Sequence, residues 1–126
     1  MALPKLVKVS GSYYKGFELL ISSVPGNYVL DMTLNQPGAM NSISITPDNY
    51  GAGDYINLVH LDSSGKQLGT IAENIYNLGT GISIMFDFPA LEKMVSNDIF
   101  RLTYVNVSGV ALSIHTVVEY AGVRKS

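Results

Sequence analysis

"HLDSSGKQL" (residues 60–68) and "YVNVSGVAL" (residues 104–112) carry the same punctuation 44 positions apart. In the first, Asp62-Ser63-Ser64-Gly65 suits a type I turn closed by a glycine in the left-handed region. Asp accepts from backbone ahead of it, and Gly tolerates positive φ. Asn106 and Gly109 hold the same two places in the second stretch. The pattern predicts two hairpin loops of three residues with a G1 bulge, Asp62 pairing with Lys66 and Asn106 with Val110. Counting outward, His60 faces Leu68 and Tyr104 faces Leu112. The likeness extends upstream at the same spacing, Asp54 with Asp98 and Leu58 with Leu102. Each strand is thus preceded by an aspartate, and the inward sets are Ile56 with Leu58 and Phe100 with Leu102.

Period-two patterns surround these turns. "NYVLDMTL" sets Tyr28, Leu30, Met32 and Leu34 on one face, and "ISIMFDF" does the same with Ile82, Ile84, Phe86 and Phe88. "NSISIT" opposes Ile43 and Ile45 to Ser42, Ser44 and Thr46. Such alternation marks half-buried antiparallel strands, and "VPGN", "NQPGAMN", "TPDNYGAGD" and "NLGTG" are turn chemistry between them. Only "PALEKMV" (89–95) suits a helical turn or two, opening at Pro89. The eight to ten strands predict an all-β chain. It is a single antiparallel two-sheet β-sandwich over residues 13–126, jelly-roll-like, with an Ig-like sandwich as the alternative topology. Residues 1–12 precede it as an extended N-terminal arm or edge strand.

Composition narrows the function classes. The 126 residues fit one domain, and the absence of cysteine removes disulfides, zinc-thiolate sites and thiol nucleophiles. Charged residues are 14% of the chain, against roughly 25% in average soluble domains. So thin a charge cover predicts that part of the surface is buried against other subunits. Val59, Leu61, Ile99, Val105 and Val117 are the outward apolar set expected to meet a copy of the chain, as a homotrimer. Lys5, Lys8 and Lys15 at the start, and Arg124 and Lys125 at the end, flank a stretch with three bases and all ten acids, a net of −7. Basic ends suit docking onto an acidic partner. No basic stripe is interleaved with aromatics, which argues against nucleic acid, and no apolar run approaches the ~20 residues of a membrane span. No signal-peptide pattern is seen, so a cytoplasmic or virion location is expected.

The chemistry-bearing residues are few. No catalytic residue and no cofactor site is predicted. Asp48, Asn49 and Asp54, in a glycine-rich loop, are the one set of oxygen ligands that suits calcium. His60 is expected to pack on the apolar side before its turn. His115 falls beside Val117 and Glu119, and the counted register sets it across from Arg101. Tyr13, Tyr14, Tyr50 and Tyr55 lie in or beside loops, where tyrosine anchors protein interfaces or stacks on sugars; with Lys5 and Lys8 they are the predicted partner-binding residues.

A short, cysteine-free, nearly all-β chain with alternating strands, few charges and an apolar excess resembles the small β-sandwich structural proteins of tailed-phage virions, capsid decoration (cement) and accessory proteins among them. The resemblance implies a non-enzymatic structural virion protein that oligomerises and binds the major capsid protein or another virion protein. The other expectation is a carbohydrate- or receptor-binding module.

Overall fold

The computed structural model describes residues 6–8, 13–33, 38–94 and 98–125. These form nine strands and no helix: β1 (Leu6–Lys8), β2 (Tyr13–Ile21), β3 (Gly26–Thr33), β4 (Gly38–Pro47), β5 (Tyr55–Leu61), β6 (Gln67–Tyr76), β7 (Ile84–Met94), β8 (Ile99–Asn106) and β9 (Leu112–Lys125). Every pairing is antiparallel. One sheet runs β2-β9-β4-β7, and β1 continues the β2 edge along the far end of β9. The other runs β3-β8-β5-β6. From β2 onward the chain changes sheet at every connection except β5–β6. That order is a jelly roll, which decides between the two sandwiches that the pattern left open.

Alternation supplies the core. In β8, Phe100, Leu102, Tyr104 and Asn106 are buried while their neighbours are half-covered. Ile56, Leu58 and His60 turn inward from β5 beside them. Ile43 and Ile45 of β4 and Ile114 and Val118 of β9 face them from the other sheet. Each such aliphatic side chain contributes roughly 1.5–3 kcal/mol by leaving water. Across the interface, Thr116 Oγ1 donates to Met32 Sδ at 3.3 Å, so the one buried hydroxyl of β9 is satisfied within the core.

Four expectations are corrected. The loop at 107–111 does not close a hairpin: β8 pairs with β3 and β5, and the chain crosses to the other sheet to begin β9. An Asn with a left-handed Gly satisfies its own backbone whether the flanking strands pair or part, so local chemistry could not distinguish the cases. Tyr104 accordingly lies beside Tyr28 and Ile56 rather than Leu112, and His115 lies beside Glu18 and Thr46 rather than Arg101. In the β5–β6 hairpin, His60 is opposite Gly69, one step from Leu68, because the register shifts between His60 and Leu61. The extra residue is Leu68 of β6, and Leu61, expected outside, is buried beside Ile99 of β8. Lastly, the 89–95 segment is strand through Met94, with Pro89 in β7 at the sheet edge, where a missing N–H is tolerated.

The repeated punctuation has a structural meaning. β5 and β8 are neighbours in mid-sheet, with Leu58 directly opposite Leu102, Ile56 opposite Tyr104 and His60 opposite Phe100. Residues matched by the 44-residue spacing are therefore related by a local two-fold axis through the Leu58–Leu102 pair. Each strand's leading aspartate reaches a polar ring near the end of the other strand. Tyr104 donates to Asp54 at 2.6 Å, and His60 Nε2, its ring stacked on Phe100 at 4.4 Å, donates to Asp98 at 3.0 Å.

Candidate binding surface at one end of the sandwich

Four connections gather where β2, β4, β6 and β8 finish: residues 22–25, 48–54, 77–83 and 107–111. Asp54 ties the first strand of the inner pair to the last of these loops. Its Oδ1 accepts the N–H groups of Val107 (2.8 Å) and Ser108 (2.9 Å), and its Oδ2 accepts the Tyr104 hydroxyl (2.6 Å) and the Ser108 hydroxyl (2.8 Å). Burial works to raise this carboxyl, but the donors outweigh it and hold Asp54 below the usual carboxylate range. Burial, with Asp54 beside it, pushes the Tyr104 phenol far above its ordinary value. Gly51 completes the knot, because a Cβ there would overlap the Ser108 hydroxyl.

The other loops are tied in turn. Asn106 Nδ2 donates to the carbonyls of Ser22 (3.0 Å) and Val110 (3.3 Å), and its Oδ1 accepts from Gly109 (2.9 Å), which sits at φ +75°. The Tyr50 hydroxyl donates to the Asp54 carbonyl and accepts from Asn77 N–H. Gly81 N–H donates to the Pro47 carbonyl at 2.7 Å. Asp48 accepts from the backbone and hydroxyl of Ser113 (2.8 and 2.9 Å), which holds it below the usual range. Above this framework stand Val24, Ile82 and Val107, each more than half exposed, with Leu20 beside an open cleft of about 630 Å³ that Ser22, Asp48, Asn49 and Ala111 also line. Loops fixed by their own hydrogen bonds can present apolar side chains to a partner with little ordering cost. That is the chemistry this surface offers.

The predicted site residues disperse. Asp48, Asn49 and Asp54 are engaged separately: Asp48 by Ser113, Asn49 by the N–H of Tyr50, and Asp54 by the donors above. Among the described residues no three His, Cys, Asp or Glu side chains are grouped to hold a metal ion. Of the partner-binding set, Tyr50 is a half-buried strut of the loop framework. Tyr13 stacks on Tyr120 at 5.6 Å, and Tyr14 donates to Glu119, which raises its phenol. Tyr55 pairs with Tyr76 on the other sheet, Lys8 is in β1, and Lys5 lies outside the described residues. Of the turn residues, Asp62 Oδ1 accepts from Ser64 N–H, Ser64 Oγ and Lys66 N–H, while Gly65 sits at φ +92°. Ser64 and Lys66 hold Asp62 below the usual range. Arg101 forks onto Asp31 across the strands (2.7 and 3.0 Å). Sequence reasoning missed Tyr104 and Ser108 as members of the framework, although the matched aspartates were the signal that pointed to them.

Compared by sequence, the chain matches no family model and no curated protein. Compared by structure, it is similar to a chain of the Aeromonas sobria serine protease–chaperone complex at 7% identity and a TM-score of 0.47, over 96% of this chain and 28% of that one. It is also similar to the family 11 carbohydrate-binding module of a Clostridium thermocellum cellulosomal cellulase at 8% identity and a TM-score of 0.42, over 97% and 89% of the two chains. A third likeness is to VP2 of the infectious bursal disease virus subviral particle, at 12% identity and a TM-score of 0.35, over 96% and 38%. The chain spans about a quarter of the first of these proteins and less than two-fifths of the third.

Proposed function

We propose that this chain is a non-enzymatic structural protein that associates with copies of itself and docks on a larger assembly, most concretely as a decoration protein on a virion surface. The observation that carries the reading is the loop end: a framework braced by Asp54, Asn106, Tyr50 and Asp48, topped by exposed Val24, Ile82 and Val107. Braced apolar side chains on a surface with few charges are what a preformed protein interface needs. Jelly rolls occur widely in capsids, which adds support by analogy of fold only.

The test is sedimentation and light scattering of the purified chain beside the double variant Val24→Asp/Val107→Asp. Both positions are exposed, so the variant is expected to melt within a few degrees of the parent. The parent should form a discrete oligomer, a trimer, and the variant should associate at least about tenfold more weakly. A parent that stays monomeric at millimolar concentration, or a variant that assembles unchanged, would remove the loop end as the interface.

A further inference from the structure

The outer face of the β5–β6 ribbon differs from the loop end in chemistry. Tyr55 and Tyr76 form a cross-strand pair there, their rings 4.9 Å apart and tilted by 40°, and Tyr76 is 49% exposed. One pair further along, Ile56 is opposite Ile75 and Leu58 opposite Ala72, so Asn57 alone faces two residues, Glu73 and Asn74. This is a bulge, and Asn74 takes φ +52°, a left-handed value that asparagine tolerates better than most residues. The bulge is pinned by Asn74 N–H donating to Asn57 Oδ1 at 2.7 Å. It opens a depression of about 310 Å³ lined by Asn57, Gln67, Thr70, Glu73 and Asn74, and also by Val59 and Ala72. The Gln67 amide donates to Thr70 Oγ1 at 2.9 Å, which fixes the far rim.

We propose that this groove is a binding site for a neutral oligosaccharide, independent of the association described above. The residue types fit that ligand. An exposed tyrosine face takes the C–H side of a sugar ring. Side-chain amides and a carboxylate match vicinal hydroxyls, since each hydroxyl both donates and accepts, and amides offer both functions while Glu73 accepts. Neighbouring residues on one face of a strand stand about 7 Å apart, so the tyrosine pair and the Asn57–Glu73–Asn74 row suit successive sugar units. A bulge held by its own hydrogen bond keeps these groups in place before the ligand arrives.

The experiment titrates the full chain with cello-, manno-, malto- and chitohexaose, following calorimetry and tyrosine fluorescence, which is readable because the chain has no tryptophan. At least one of the four should bind with a dissociation constant in the micromolar to low millimolar range. Tyr76→Ala and Glu73→Gln should each weaken that binding at least tenfold, and Glu73→Gln should melt with the parent. Glu18→Gln, exposed on the opposite sheet, should leave it unchanged. Failure of all four sugars to bind at 10 mM overturns the proposal. So does binding that survives Glu73→Gln, which tests the site even if Tyr76→Ala fails to fold. Glu73→Gln lies at the bulge, away from the loop end, so its sugar result leaves the oligomer measurement to be judged by itself.

Discussion

Asp54 is a buried carboxylate whose charge is an asset, because it has four donors and no other place to send them. Removing its side chain strands the Tyr104 hydroxyl and two N–H groups in a dry setting. Asp54→Ala is therefore expected to cost roughly 2–4 kcal/mol in urea denaturation, whereas the same change at exposed Glu73 should cost less than about 0.5. The pH dependence follows in sign. Asp54, Asp48 and Asp62 all have folded values below their unfolded ones. Their stabilisation is complete above the unfolded value, near pH 4, and is lost as pH falls through the folded values. Stability should thus decline below about pH 4, and Asp54→Asn should flatten that decline; an unchanged slope would show that other carboxylates carry it. Gly51 belongs to the same cluster. Gly51→Ala should destabilise by about 1–3 kcal/mol through overpacking against Ser108 and the Asp54 carboxylate, an effect that Ser108→Gly should relieve only in part, since Asp54 Oδ2 would still lie 2.8 Å from the new Cβ.

The two turns use one local device for different ends. Gly65 and Gly109 both take positive φ, so valine at either should cost about 1–3 kcal/mol. At Gly65 nothing lies near a new Cβ, so Gly65→Asn should recover most of the loss. At Gly109 a Cβ would meet the Ser23 carbonyl at an ordinary van der Waals distance of 3.4 Å, so Gly109→Asn should recover a similar share. Melting curves of the four variants read this directly, and a failure of asparagine to recover stability at either site would contradict it. The alternation of β3, β4, β5 and β8 was plain in the sequence because a two-faced sheet writes its burial at every second residue. The hairpin after Asp62 was plain because all its bonds are local. What lay beyond reach was whether the strands flanking Asn106 pair, since that depends on Ser22 and Asp54, far away in sequence. The register slip at His60, the bulge at Asn74 and the Tyr104–Asp54 bond were hidden for the same reason. They are settled by neighbours on other strands.

At the scale of the whole molecule, the first and last described strands meet. Leu6–Lys8 lies antiparallel to Val123–Lys125, so these three residues pair with β9 of their own chain. Deleting residues 1–10 removes three residues of pairing and leaves β2 to β9, so the melting temperature should fall by only a few degrees. A salt-dependent loss of association in that variant would assign the lysines to the interface, and unchanged association would confine it to the loops. The jelly-roll order also bears on how fast the chain can reach this shape. β2 must find β9, β3 must find β8, and β4 must find β9 before any of these ladders is rewarded. The β5–β6 hairpin, the one hairpin among the described residues, needs only the Asp62 turn. Folding should accordingly take milliseconds to seconds, with that hairpin formed early. Gly65→Val would then act on the refolding limb of a chevron plot, while Asp54→Ala, at a clasp closed late, would act on the unfolding limb.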